Sequence, residues 1–81
     1  MNYVALTEKL VKALVIDADM VTVKEFLGDD EIIQLEIIVT EDDMGAVIGK
    51  GGKMASALRV LIQAAAYNMD IKRVRINIDS F

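Results

Sequence analysis

Val47-Ile48-Gly49-Lys50-Gly51-Gly52-Lys53 is the stretch on which the fold of this chain turns. Three glycines stand within four positions, and the residues on either side read as helix. A plain joint between helices needs one glycine at most. Glycine is used where the backbone takes φ > 0 or where another group approaches closely. The helix after the turn starts with unpaired N–H groups and the positive end of its dipole. Lys50 and Lys53 add two full charges beside it. Together these are the parts of a phosphate site. A Walker A loop needs four residues between its first glycine and Gly-Lys, then Ser or Thr; here Gly45 to Gly49 leaves three, and Gly51 follows Lys50. A dinucleotide fingerprint fails as well, because the glycines are not spaced G-x-G-x-x-G and the preceding element is a helix.

Outward from the turn, the pattern predicts the rest of the fold. Thr40 stands three residues before Asp43, the spacing of a capping box. Glu41, Asp42 and Asp43 crowd the first turn of a short helix, where the dipole favours negative charge. Capping accounts for Asp42 and Asp43 better than an acid–base carboxylate pair does. After the turn a longer helix runs from about Lys53 to Tyr67. Met54, Leu58, Leu61, Ile62 and Ala65 form its apolar face, Ser56, Arg59 and Gln63 point away, and Asn68 to Asp70 end it. Residues 72–79 form the last strand, with Val74, Ile76 and Ile78 inward and Arg73, Arg75 and Asn77 outward. On the N-terminal side, Ile33, Leu35, Ile37 and Val39 alternate in a strand over 31–39. β-Branched Val21, Thr22 and Val23 mark another over 20–27. Gly28-Asp29-Asp30 joins the two as an antiparallel hairpin. Residues 2–15 read as a helix with Leu6, Leu10, Ala13 and Leu14 on one face, broken at Asp17 to Asp19.

The order is α-β-β-α-turn-α-β. The β-α-α-β portion needs a crossover, so its strands run parallel and wind right-handed. The expected fold is α+β, a three-stranded sheet with helices on one face.

Composition narrows the chemistry. The chain has 81 residues, one domain's worth, with no cysteine and no histidine. Disulfides, thiolate metal sites, zinc sites built on histidine and Ser-His-Asp triads lose their usual residues. No stretch reads as a signal peptide, and no run approaches the ~20 apolar residues that span a bilayer; the expectation is a cytoplasmic chain with no membrane partner. The net charge is −4, but it is unevenly placed. Residues 1–44 carry three lysines against eleven acids, and residues 45–81 carry six bases against Asp70 and Asp79. A basic half on an acidic chain suggests one anion-facing surface.

The segment VIGKGGK, with Gly45-Ala46 before it and Met54-Ala55 after, resembles the Ile-Gly-x-x-Gly core of KH domains. The extra helix and strand at the N-terminus resemble the type II KH arrangement, and the size resembles the KhpA family of small bacterial RNA-binding proteins, over essentially the whole chain. The resemblance implies a single KH domain over residues 1–81, with no cofactor and no catalysis. It implies a loop that clamps the sugar–phosphate backbone of about four nucleotides of single-stranded RNA. Gly49 and Gly52 would then permit close approach of the RNA, Lys50 and Gly51 would face the phosphates, and Val47 or Ile48 would floor the bases. Lys53 and Arg59 are added as basic residues at or beyond the start of the second helix. The resemblance also implies a homodimer, or a heterodimer with a larger KH-containing protein, acting as an RNA chaperone in bacterial post-transcriptional regulation. A protein–protein module that mainly dimerises is the competing reading, motivated by Ile32 and Ile38 as exposed apolar positions. Arg73 and Arg75 read as solvated or paired with acids. Asp29, Asp30 and Glu31 read as a solvated turn rather than a metal site. Tyr3, Phe26, Tyr67 and Phe81 are too few and scattered for a stacking platform.

Overall fold

A computed structural model describes residues 3–28, 32–69 and 73–81. Helix α1 is Tyr3–Leu14, strand β1 Thr22–Leu27, strand β2 Ile33–Val39, helix α2 Glu41–Ile48, helix α3 Lys53–Tyr67 and strand β3 Val74–Ser80. The order is the one expected. Positions 29–31 of the hairpin turn, and residues 2, 70 and 72 at the expected element ends, lie outside the described residues. On the described side of that turn, the Gly28 N–H donates to Ile32 O at 2.7 Å.

The sheet runs β1-β2-β3. β1 pairs antiparallel with β2, Thr22 opposite Ile38 and Leu27 opposite Ile33. β2 pairs parallel with β3, Ile33 opposite Val74 and Val39 opposite Ser80. Because side chains alternate across a strand, Leu35, Ile37 and Val39 share one face and Gln34, Glu36 and Ile38 the other. The first three are buried in one cluster with Tyr3, Val11, Val47, Leu58, Ile62 and Ile76, which places the helices on that face. Ile32 and Ile38 are half-buried rather than exposed.

Two helix faces differ from the expectation. In α1 the buried stripe is Tyr3, Thr7 and Val11, with Leu10 and Leu14 partly covered; Leu6 is half-buried and Ala13 exposed. The polar Thr7 hides this register from a hydrophobicity reading. Its hydroxyl donates to Tyr3 O at 2.7 Å inside the helix, so it is buried without an unsatisfied group. In α3 the buried stripe is Ala55, Leu58, Ile62 and Ala66, and Leu61 is 53% exposed. Alanines at the contact let the helix approach its neighbours closely, which turns Leu61 outward. Gln63 does not simply point away: its Oε1 accepts the Val74 N–H at 2.9 Å, tying α3 to the start of β3.

Candidate nucleic-acid interface

The position of the glycine turn depends first on how α2 is anchored. Thr40 precedes α2 with extended dihedrals, φ −69° and ψ 155°, and makes no side-chain cap. The capping-box expectation therefore needs correction. The Asp43 carboxylate crosses to the segment after α1 instead. Its Oδ1 accepts the Ile16 N–H at 3.1 Å, and its Oδ2 accepts the Asp17 N–H at 3.0 Å and the Thr40 hydroxyl at 3.1 Å. Asp43 is 4% exposed. The Ile16 and Asp17 N–H groups, aided by the Thr40 hydroxyl, hold its carboxyl below the usual carboxylate range against the opposing effect of burial. A three-residue local spacing gave no sign of partners 26 and 27 residues away. Asp42 is exposed in the first turn, as a dipole-complementing acid would be.

At the far end of α2 the chain turns on Gly49, whose N–H donates to Gly45 O at 2.8 Å. Gly49 lies at φ 77°, ψ 171°, a region open essentially to glycine alone. A Cβ there would stand 2.6 Å from Met54 Cβ and 2.8 Å from Met54 N. The glycine is thus demanded by the approach of α3 itself. Gly51 (φ 65°, ψ 19°) and Gly52 (φ 78°, ψ 11°) are left-handed, and nothing lies within 4 Å of where their Cβ atoms would be. The outer side of the turn is bare backbone facing open space.

α3 starts directly after this turn, with Gly52 as its N-cap, no side-chain cap and no acid in its first turn. Lys50 and Lys53 are exposed on either side. Among the described residues neither forms an ion pair; the pair that does form is Lys12–Glu8, at 2.8 Å on α1. The turn is therefore an uncompensated positive region made of helix dipole, open N–H groups and two lysines.

The other predicted site residues divide. Val47 is buried in the core cluster and has no surface to offer, whereas Ile48 is half-buried beside the turn. Arg59 is exposed, but six residues along α3 places it about 9 Å farther on and about 120° around the helix from Lys53. It lines a groove of about 480 Å³ with Val60, Gln63, Ala64, Tyr67 and Val74, between α3 and the edge strand β3. The structure brings Ile48 to Lys53 together and puts Arg59 on a separate flank. The sequence reading missed that flank. Its signal was a second apolar series, Val60, Ala64 and Tyr67, at helical spacing beside the one the core consumes. Among the described residues no group of three or more acids could hold a metal ion, and no helix is long and apolar enough to cross a membrane.

An α-β-β-α-α-β chain with a mixed three-stranded sheet and a Gly-x-x-Gly turn between its last two helices is a KH domain of the type II arrangement. A family profile described as "KhpA/KhpB, KH domain" matches residues 5–78, and the chain belongs to that family. It is 47% identical over 73 residues to a Clostridium acetobutylicum protein, covering 90% of this chain and 95% of the relative. It is 45% identical, over the same shares, to a protein of Caldanaerobacter subterraneus subsp. tengcongensis. A Borreliella burgdorferi relative is 36% identical over 77 residues, 95% of this chain and 92% of the relative. All three are named RNA-binding protein KhpA. No solved structure matches the chain. The family is not an enzymatic one, and the chain is not an enzyme.

Proposed function

We propose that this chain is a cytoplasmic single-stranded RNA-binding module that clamps the sugar–phosphate backbone at Gly49-Lys50-Gly51-Gly52. The observation that carries the reading is the open side of the turn: two left-handed glycines with empty space over them, at an uncapped helix start. Phosphates approach the Gly51–Gly52 backbone and the first N–H groups of α3, Lys50 and Lys53 neutralise them, and Ile48 supplies apolar surface under a base. Val47 supports Ile48 from the core. The family relationship, and the names of the relatives, support the same reading. The test is Lys50→Asp with Gly51→Asp, titrated with a short unstructured RNA. Binding should be lost, because two carboxylates face the phosphates. The fold should survive, since forcing a left-handed non-glycine residue costs only about 1–2 kcal/mol. A folded double variant that binds RNA like the parent would overturn the assignment.

A specific observation supports pairing as part of the function. Val60, Leu61 and Tyr67 on α3 are 69%, 53% and 64% exposed, large apolar side chains on one helix that the core leaves uncovered. This is the surface we assign to a second copy or to a larger KH-containing partner. Two linked clamps raise avidity without new contacts, which suits an RNA chaperone in post-transcriptional regulation whose single clamp carries two lysines. Sedimentation at micromolar protein should show a dimer or a KH-partner complex that Leu61→Glu dissolves. A strictly monomeric parent with no KH partner would refute it.

A further inference from the structure

The face of the sheet turned away from the helices carries a second cluster. By register, Phe26 lies opposite Gln34 and Gln34 opposite Arg75, while Glu36 lies opposite Asn77. These side chains line an open depression of about 340 Å³. Phe26, next to last in the edge strand β1, is 48% exposed although it is aromatic. Among the described residues neither Arg75 nor Glu36 has an ion-pair partner. Strands lie about 4.8 Å apart, so the row from Phe26 to Arg75 spans about 10 Å.

We infer that this depression holds one unpaired nucleobase of a bound RNA, an inference that rests on the RNA-binding reading above but on different residues. The base stacks on the Phe26 ring, an interaction open to any base because every base has a π-face. The amides of Gln34 and Asn77 each offer a donor and an acceptor to its edge. Glu36 only accepts, so it takes a hydrogen bond from an exocyclic amino group or a ring N–H of the base. Arg75 pairs with the adjoining phosphate, as its planar fork is suited to do. One ring makes a single-base pocket, not a stacking platform. A protein partner is a poorer match, because Phe26 shares the depression with amides, a carboxylate and a guanidinium, and no second large exposed apolar side chain lines it.

The experiment compares oligoadenylates of about four nucleotides, the span of one clamp, and about 16 nucleotides, the upper end of single-strand site sizes. Phe26→Ala should leave the short RNA unaffected and weaken the long one by about 5- to 150-fold, the measured range for one stacked base. Phe26→Tyr, which keeps the ring, should retain affinity for both and guards against a folding artefact. Arg75→Gln should flatten the salt dependence of the long RNA by about 0.7 in log–log slope. Equal binding of the long RNA by the parent and Phe26→Ala overturns the inference. So does an equal loss on both RNAs, or a change in sedimentation without a change in RNA affinity. The glycine-turn variant Lys50→Asp with Gly51→Asp separates the two sites. If it still binds the long RNA while Phe26→Ala does not, the clamp assignment falls and the sheet site stands.

Discussion

Replacing Gly49 with alanine should damage this protein far more than replacing Gly52, although both are glycines of the same turn. At Gly49 two penalties coincide. Its φ of 77° and ψ of 171° lie in a region that costs a non-glycine residue about 1–3 kcal/mol. The new methyl would also stand 2.6 Å from Met54 Cβ and 2.8 Å from Met54 N. Met54 N is backbone in the first turn of α3, so the clash cannot be relieved by a rotamer change; overpacking of this kind costs about 1–3 kcal/mol. The sum is about 2–6 kcal/mol. The whole stability of a chain this size is about 4–12 kcal/mol. At Gly52 the φ of 78° is the only obstacle, since nothing lies within 4 Å, and the cost is about 1–2 kcal/mol. Urea unfolding followed by circular dichroism measures both. Gly49→Ala should lower the midpoint by at least twice as much as Gly52→Ala, with an unchanged slope. Equal midpoints would refute the claim that α3 presses on Gly49, and with it the geometry of the turn.

Two further outcomes follow from the same geometry. Asp43 holds its proton less tightly in the folded chain than unfolded, where its value is 3.8. Its contribution is therefore complete above that value and lost as pH falls through the lower folded one. Asp43→Asn should be less stable than the parent near neutral pH, with the gap narrowing as pH falls below 3.8; a gap independent of pH would mean that the contacts to Ile16 and Asp17 are not charge-assisted. For a short RNA, contacts by Lys50 and Lys53 give a slope of log affinity against log salt of about −1.4, and about −2.1 if Arg59 joins them. A slope steeper than about −5 would require many more phosphates than this turn can meet.

The element order was legible because each helix and strand keeps its own period, and because three glycines in four positions leave few alternatives. The ends of α3 matched the reading at Lys53 and Tyr67. What stayed hidden were contacts in which a polar residue does the work of an apolar one or reaches a distant partner. Thr7 belongs to the core because its hydroxyl is satisfied within its own helix. Asp43 looks like a local cap yet fastens α2 to the end of α1, and Gln63 looks solvated yet caps a strand N–H. The glycine turn was readable as a segment, but the burial and backbone conformation of its residues were not. Val47 and Ile48 are adjacent apolar residues, and only the packing of α2 decides which is buried. Gly49 and Gly52 are identical in sequence, and only the path of α3 shows that the first is needed by the fold.

The central claim is that RNA lies on the open side of the glycine turn. Amide chemical-shift mapping with a four-nucleotide RNA, about the span of one clamp, tests it most directly. The largest shifts should fall on Gly49 to Met54, with smaller ones at Ile48 and none at the buried Val11 or Ile62. Shifts concentrated on Val60, Ala64 and Tyr67, with the glycines unmoved, would contradict it.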